Sequence, residues 1–397
     1  MPSDYTIENR FIITCLGTVL PGILNDDFTF PEDTLNWDYI VTTSELNGVI
    51  PLVSKSLNLY GKDIVPADVI ETFYELNRES AVSNLIKVKE LLYIYKKFKE
   101  SGITSVVLKG AGLGSEAYGD ISLRPFGDLD ILVRKEKLAE AIKILIECGY
   151  EHIFDYTEKQ AELYKQSVFY LKDQDMHYSF YNPLKKIHFE LHWALMPPKY
   201  SFSQDVDEVF ENAVAVSEGQ GEFYVPGLED LIIYLSLHGT KHYWSRLIWI
   251  FDVAILVEKK KDIRWEVVIA KSEEFNCLRS LLLSLYLAEK MYSAGLPKII
   301  KNYIDKDNRV AELAKQVEKN YTAIYDLENI ESKNKLFFLK SMESNKDKLL
   351  FLAGIVFKPT IYELEVVALP HKLSFLYYLV RPLRLVKKYF LKLFSYN

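Results

Sequence analysis

The stretch Leu108-Lys-Gly-Ala-Gly-Leu-Gly-Ser-Glu-Ala-Tyr-Gly-Asp-Ile-Ser-Leu-Arg-Pro-Phe-Gly-Asp-Leu-Asp-Ile-Leu-Val133 decides how this chain is read. It starts at the end of Ile103–Leu108, a short β-branched run stopped by Lys109-Gly110. Ala111 to Tyr118 then suits a short helix, Leu129–Val133 a second strand, and Lys135–Cys148 an amphipathic helix closed by Gly149. Asp128 and Asp130 stand two apart on the second strand, so their side chains leave the same face. Leu129, Ile131 and Val133 leave the other face, towards a core. Adjacent carboxylates repel each other and persist most easily with a divalent cation between them. A strand entering from a loop with two solvated aspartates has the same pattern, so the pair alone decides little.

The surroundings add to it. The turn at Lys109-Gly110 precedes the start of a helix, where backbone amides favour phosphate and glycine lets a ligand approach closely. Arg124-Pro125 places a cation just ahead of the aspartates. Three further strand-like pieces follow, Tyr150–Phe154, Val168–Lys172 and Met176–Tyr181, and then Lys186–Trp193 alternates cleanly. On that last strand His188, Glu190 and His192 share one face, while Ile187, Phe189 and Leu191 share the other. Glu190 is therefore the natural third carboxylate if its strand lies beside that of the aspartates. A phosphate cradle, a cation and three acids are what two-metal phosphoryl chemistry requires.

Taken together, the run Leu-Lys-Gly, then Arg-Pro-x-x-Asp-x-Asp-Ile-Leu-Val, then Glu-Leu-His-Trp resembles the largely uncharacterised bacterial nucleotidyltransferase-like proteins of the polymerase-β-type superfamily. The segment His238-Gly-Thr-Lys-His242-Tyr-Trp244-Ser-Arg246-Leu-Ile-Trp249-Ile-Phe-Asp252 is similar to that family's helical His-x-x-x-His…Trp…Asp stretch. The resemblance covers most of the chain, with the motifs between about 103 and 252. It implies an α/β (α+β) core with a mixed sheet flanked by helices. It also implies Mg2+ or Mn2+ held by Asp128, Asp130 and Glu190, with ATP or another NTP as donor. The superfamily's usual Gly-Ser turn reads Lys109-Gly110-Ala111 here, so Lys109, Gly110 and Arg124 are the expected phosphate contacts, with Ser115 in reserve. A Glu as third ligand replaces the more usual Asp.

Outside this core the periodicity is helical. Trp37–Tyr60 and Ala81–Glu100 repeat apolar residues at three- and four-residue intervals, and from Asp205 the pattern reads as helix to the end. The expected division is a helical region at 1–100, the α/β core at 101–200 and a helical domain at 201–397. The end of that domain, 371–397, contains Lys372, Arg381, Arg384, Lys387, Lys388 and Lys392 and no acid. A helix packed on the acidic body is the default reading of this tail, with a membrane surface or a partner as alternatives. The net charge of −7 argues against broad binding to a nucleic acid backbone. Cys15, Cys148 and Cys277 have no metal-ligand spacing, and the opening MPSDYTIENRF lacks a basic start followed by an apolar stretch. A cytoplasmic protein is the expectation.

His188, His192, His238, His242 and Asp252 are the expected acceptor or substrate contacts. His238 and His242 share a helix face, but Gly239 stands where a zinc-protease motif requires Glu. Asp252, inside an apolar stretch, either faces a cleft or is tied to Arg246 or a lysine. The leading functional expectation is transfer of a nucleoside monophosphate to a small molecule, peptide or protein. Transfer of another activated group, such as a sugar, and a non-catalytic nucleotide-sensing role are the alternatives.

Overall fold

In the computed structural model the residues described are 5–20, 35–61, 65–153, 176–197, 206–219, 221–321, 330–367 and 369–394. Five strands form one mixed sheet: β1 (Ser105–Val107), β2 (Asp128–Val133), β3 (Glu151–His152), β4 (His177–Asn182) and β5 (Ile187–His192). Their order is β1-β2-β5-β4-β3. Only the β2–β5 pair is parallel, and it sets Asp128 beside His188 and Asp130 beside Glu190. The expected piece Val168–Lys172 lies outside the described residues.

Alternation along β2 and β5 sorts the two faces. Leu129, Ile131, Val133, Ile187, Phe189 and Leu191 are buried in one cluster with Leu91, Ile94 and Phe98 of the long helix Ala67–Glu100 and with Ala141 and Leu145 of the helix Leu138–Glu147. Asp128, Asp130, Glu190 and His192 emerge on the opposite face. That face turns apolar one step along β2, where Leu132 packs with Val106, Leu108 and Tyr234. Tyr234 belongs to the helix Leu228–Lys241, which therefore roofs the apolar end of this face and leaves the acidic end to a cleft.

The third region is not uniformly helical. A hairpin, β6 (Val214–Glu218) and β7 (Gly221–Val225), interrupts it. Val216, Phe223 and Val225 point into the sheet's core, and the Tyr224 amide donates to the Tyr95 hydroxyl at 3.2 Å. This corrects the reading of continuous helix from Asp205. The alternation Val-Ala-Val-Ser-Glu is short and half polar, and it is decided by the core it covers.

The largest core joins the two ends of the expected three-part division. Ile12, Leu16, Leu52 and Val53 from the first region pack with Ile232, Ile250, Phe251, Leu281 and Leu285 from the third. The tail helix Tyr377–Phe394 lies against its own neighbours: the Arg381 guanidinium donates to the Ile355 carbonyl at 2.9 Å and to Thr360 Oγ1 at 3.0 Å. Glu363, fully buried, accepts from both Arg381 and Arg384. No helix among the described residues is long and apolar enough to cross a membrane.

Candidate active site

A cleft of about 700 Å³ opens over the acidic end of the sheet. Lys109, Asp128, Glu190 and His192 line one side, and Tyr234, His238, His242 and Trp249 line the other. One oxygen from each of Asp128, Asp130 and Glu190 lies within 4.8 Å of the others, so the three could hold a divalent ion. The parallel register makes this possible: Asp130 and Glu190 are directly paired, and Asp128 is one step along the same face.

The cluster is electrostatically tense. Asp130 beside it, reinforced by burial, raises the Asp128 carboxyl above its ordinary value, with Lys109 pulling the other way. The Lys109 ammonium sits 3.0 Å from Asp130 Oδ2 and 3.5 Å from Asp128 Oδ1. Burial acts to lower the Lys109 pKa, but Asp130 and Asp128 outweigh it and the group is raised. Asp130 Oδ2 is buried and, apart from its ion pair with Lys109, has no hydrogen-bond partner. A buried carboxylate oxygen in that condition fits a cation ligand.

His192 is fully enclosed behind this set. Its Nε2 is 3.1 Å from Asp130 Oδ1 and 3.2 Å from Glu190 Oε2. Burial disfavours its charged form, yet the hydrogen bonds to Asp130 and Glu190 prevail and raise its pKa. Glu190 is lowered for the converse reason: its burial is outweighed by the His192 hydrogen bond and by the charges of His192, His177 and Lys109. His177 enters from β4, opposite His192 in the antiparallel register, with Nε2 3.7 Å from Glu190 Oε1. Burial, then His192, lowers its pKa to about 4.

The turn ahead of β2 carries the second expected cation, but not towards the cleft's floor. Arg124 is buried, and its Nε and Nη2 each donate to Asp252 at 2.8 Å. Tyr118 also donates to Asp252, at 2.7 Å. Asp252 has no exposed surface and does not line the cleft, which corrects its reading as a substrate contact. Its partner is Arg124, not Arg246 or a lysine. The Arg124 guanidinium, expected to meet phosphate, is the structural half of this pair, although the residue edges the cleft.

Gly110 lies at the cleft with φ of +60°, and a Cβ there would meet the Phe126 ring at 3.3 Å. Ser115 lies elsewhere, its hydroxyl donating to Glu218. His188 is exposed, stacks on Tyr181 with ring centroids 4.7 Å apart, and does not line the cleft. That corrects its expected contact role: it shares the face of Glu190 but sits at the strand's outer end.

The opposite wall comes from two helices, Leu228–Lys241 and Leu247–Lys259, and the turn between them. His238 and His242 have ring centroids 4.7 Å apart, and Trp249 sits 5.2 Å and 5.5 Å from them. The turn closes tightly enough that a Cβ on Gly239 would fall 2.4 Å from the Trp244 ring, so only glycine fits there. Burial, then His242, drives His238 well below its usual pKa, while burial and Lys241 lower His242 to about 3. The wall is thus aromatic and uncharged at neutral pH, with Lys241 and Arg246 at its edge.

The sequence profile of a family described as uncharacterised nucleotidyltransferase matches residues 33–293. The chain belongs to that family. The match spans the sheet, the acidic cluster and the histidine wall, so this nucleotidyltransferase carries its whole cleft inside the family's extent. No curated protein matches the chain. His177, Tyr234 and Lys241 also border the cleft of the nucleotidyltransferase and were not singled out in the sequence. For His177 a usable signal existed: Met176–Tyr181 alternates, but its pairing with β5 had to be known before the histidine could be set opposite His192.

Proposed function

We propose that this nucleotidyltransferase moves a nucleoside monophosphate from an NTP to an acceptor hydroxyl or phosphate on a small molecule, peptide or protein. The observation that carries the reading is the convergence of Asp128, Asp130 and Glu190 within 4.8 Å, with Asp128 and Glu190 lining a cleft large enough for a nucleotide and Asp130 buried beside them. Asp128 and Asp130 would hold Mg2+ or Mn2+ with the triphosphate, and Glu190 would complete the set. A metal bound there neutralises triphosphate charge and favours the acceptor oxygen as nucleophile.

The chain's own groups do the rest. Lys109, whose ammonium now balances Asp128 and Asp130, is the cation nearest the phosphates and binds them once those carboxylates have another counter-ion. Gly110 lets the backbone come close. The His238–His242–Trp249 wall offers flat, neutral rings against which a base or an aromatic acceptor stacks. In the reaction the acceptor oxygen gives any proton it carries to a neighbouring carboxylate or to water and bonds to the α-phosphorus, while the bond from that phosphorus to the bridging oxygen breaks and pyrophosphate leaves with the electron pair. Asp252 and Arg124 keep the loop before β2 fixed to the wall, so that Asp128 enters at a set height.

The test is incubation with each labelled NTP, magnesium and candidate acceptors, read by mass spectrometry for a nucleotide-sized gain and by release of pyrophosphate. Absence of both with every NTP and with whole extracts as the acceptor source contradicts the reading. One observation favours a second reading, nucleotide or partner binding without transfer: Lys109 already neutralises the two aspartates from within the fold. Magnesium-dependent NTP binding without pyrophosphate release is its signature.

A further inference from the structure

We infer that strands β4 and β5 build a second metal site, His177–Glu190–His192, suited to a borderline-soft ion such as zinc. It shares Glu190 with the carboxylate set and does not depend on nucleotide transfer. His177 and His192 face each other across the antiparallel pair, their ring centroids 4.9 Å apart, and Glu190 follows two residues from His192 on the same face. One donor atom from each of the three lies within 4.8 Å of the others.

The spacing suits an ion as well as the hydrogen bonds that His192 makes. Ligands about 2.1 Å from a tetrahedral zinc stand about 3.4 Å apart. Here His192 Nε2 is 3.2 Å from Glu190 Oε2, and His177 Nε2 is 3.7 Å from Glu190 Oε1. The second distance is too long for a hydrogen bond, so the inner nitrogen of His177 reaches Glu190 without bonding to it. His177 Nε2 stands beside Glu190 beyond hydrogen-bond reach and His192 Nε2 faces the same carboxylate, so two nitrogens and a carboxylate can close on one ion. All three residues line the cleft, which leaves a fourth coordination position open to it.

Donor chemistry then separates the two sites. Asp128, Asp130 and Glu190 offer oxygen only, the preference of magnesium. Two nitrogens and one oxygen favour zinc, with cobalt as its spectroscopic substitute. Glu190, with one oxygen towards each histidine, lies between the sites.

Zn2+ titrated calorimetrically into nucleotide-free protein, together with the visible absorption of the Co2+ form, tests the proposal. One Zn2+ is expected to bind, and Co2+ is expected to show the intense bands of a low-coordinate, nitrogen-ligated ion. His177→Ala should weaken Zn2+ by more than about 100-fold, the upper end of what an outer contact contributes, and should remove the Co2+ bands. Asp128→Asn should keep both while losing magnesium-dependent NTP binding, which separates this site's failure from that of the transfer reading. Zn2+ affinity unchanged in His177→Ala overturns the proposal. So does an all-oxygen, octahedral Co2+ spectrum in the unaltered protein, a result that needs no folded variant.

Discussion

The cleft's two walls are built by different rules. The sheet wall comes from β2 and β5, where a period of two assigns each side chain to a face and the parallel register sets Asp130 against Glu190. The helical wall comes from Leu228–Lys241 and Leu247–Lys259, where nearly every residue is buried and periodicity no longer says which side faces what. The sheet wall concentrates charge, and the helical wall confines it to Lys241 and Arg246 at the edge. A strand half exposed to a cleft declares its chemistry in its own sequence. A helix buried all round declares only that it is buried.

The comparison breaks first at the aspartates, where the largest effect is expected. Asp128→Asn or Asp130→Asn should abolish magnesium-dependent NTP binding by calorimetry, with a melting temperature near that of the unaltered protein. Full binding in either variant removes the sheet wall from the chemistry altogether.

The joint between the walls comes next. Arg124 and Asp252 link the loop before β2 to the helix Leu247–Lys259 through a buried bidentate pair. Asp252→Ala strands a buried guanidinium and should cost about 3–5 kcal/mol of stability in chemical denaturation. A loss below 1 kcal/mol would mean that the pair does not fasten the walls together.

Glu190 sharpens the contrast within the sheet wall. Glu190→Gln should hold magnesium–NTP affinity within a few-fold and lower turnover by a factor on the order of 100, because the lost contribution acts in the transition state. Equal losses in binding and turnover would place Glu190 with the aspartates as a ground-state ligand.

How much could be read beforehand follows the same divide. The faces of β2 and β5, the Ala81–Glu100 part of the long helix and the α/β core were legible, because alternation and helical period report burial directly. The β6–β7 hairpin was not: its residues are half polar, and their strand form comes from the core they cover. Nor was the partner of Asp252, since Arg124 is distant in sequence and no local pattern links them. His188 shows the limit of alternation itself. It shares the face of Glu190, yet its place at the strand's outer end leaves it on Tyr181 and outside the cleft. Face is a property of the strand, but access is a property of what covers it.

The smallest effect tests whether the helical wall is neutral by design of its burial. In the fold His242 is held at about 3, by burial first and then by Lys241 and Lys109, and burial holds His238 well below its ordinary value. An unfolded histidine titrates near 6.5, so between these values the unfolded chain binds protons that the folded chain refuses. Their contribution to stability is therefore complete above about pH 6.5 and is lost as the pH falls towards the folded value. His177 acts with the same sign, while the raised His192 acts with the opposite one, its stabilisation present at low pH and lost as pH rises. A difference experiment isolates the wall: unfolding free energies of the unaltered protein and His242→Gln, each measured at pH 7.5 and pH 5. Glutamine keeps a neutral polar side chain and removes the titration. The unaltered protein should lose more stability on acidification than the variant, by on the order of 2 kcal/mol at pH 5, for a histidine that stays neutral in the fold. Equal losses in the two proteins would mean that His242 accepts its proton in the folded state. The wall would then carry charge in acid, and the contrast between the cleft's two sides would hold only near neutral pH.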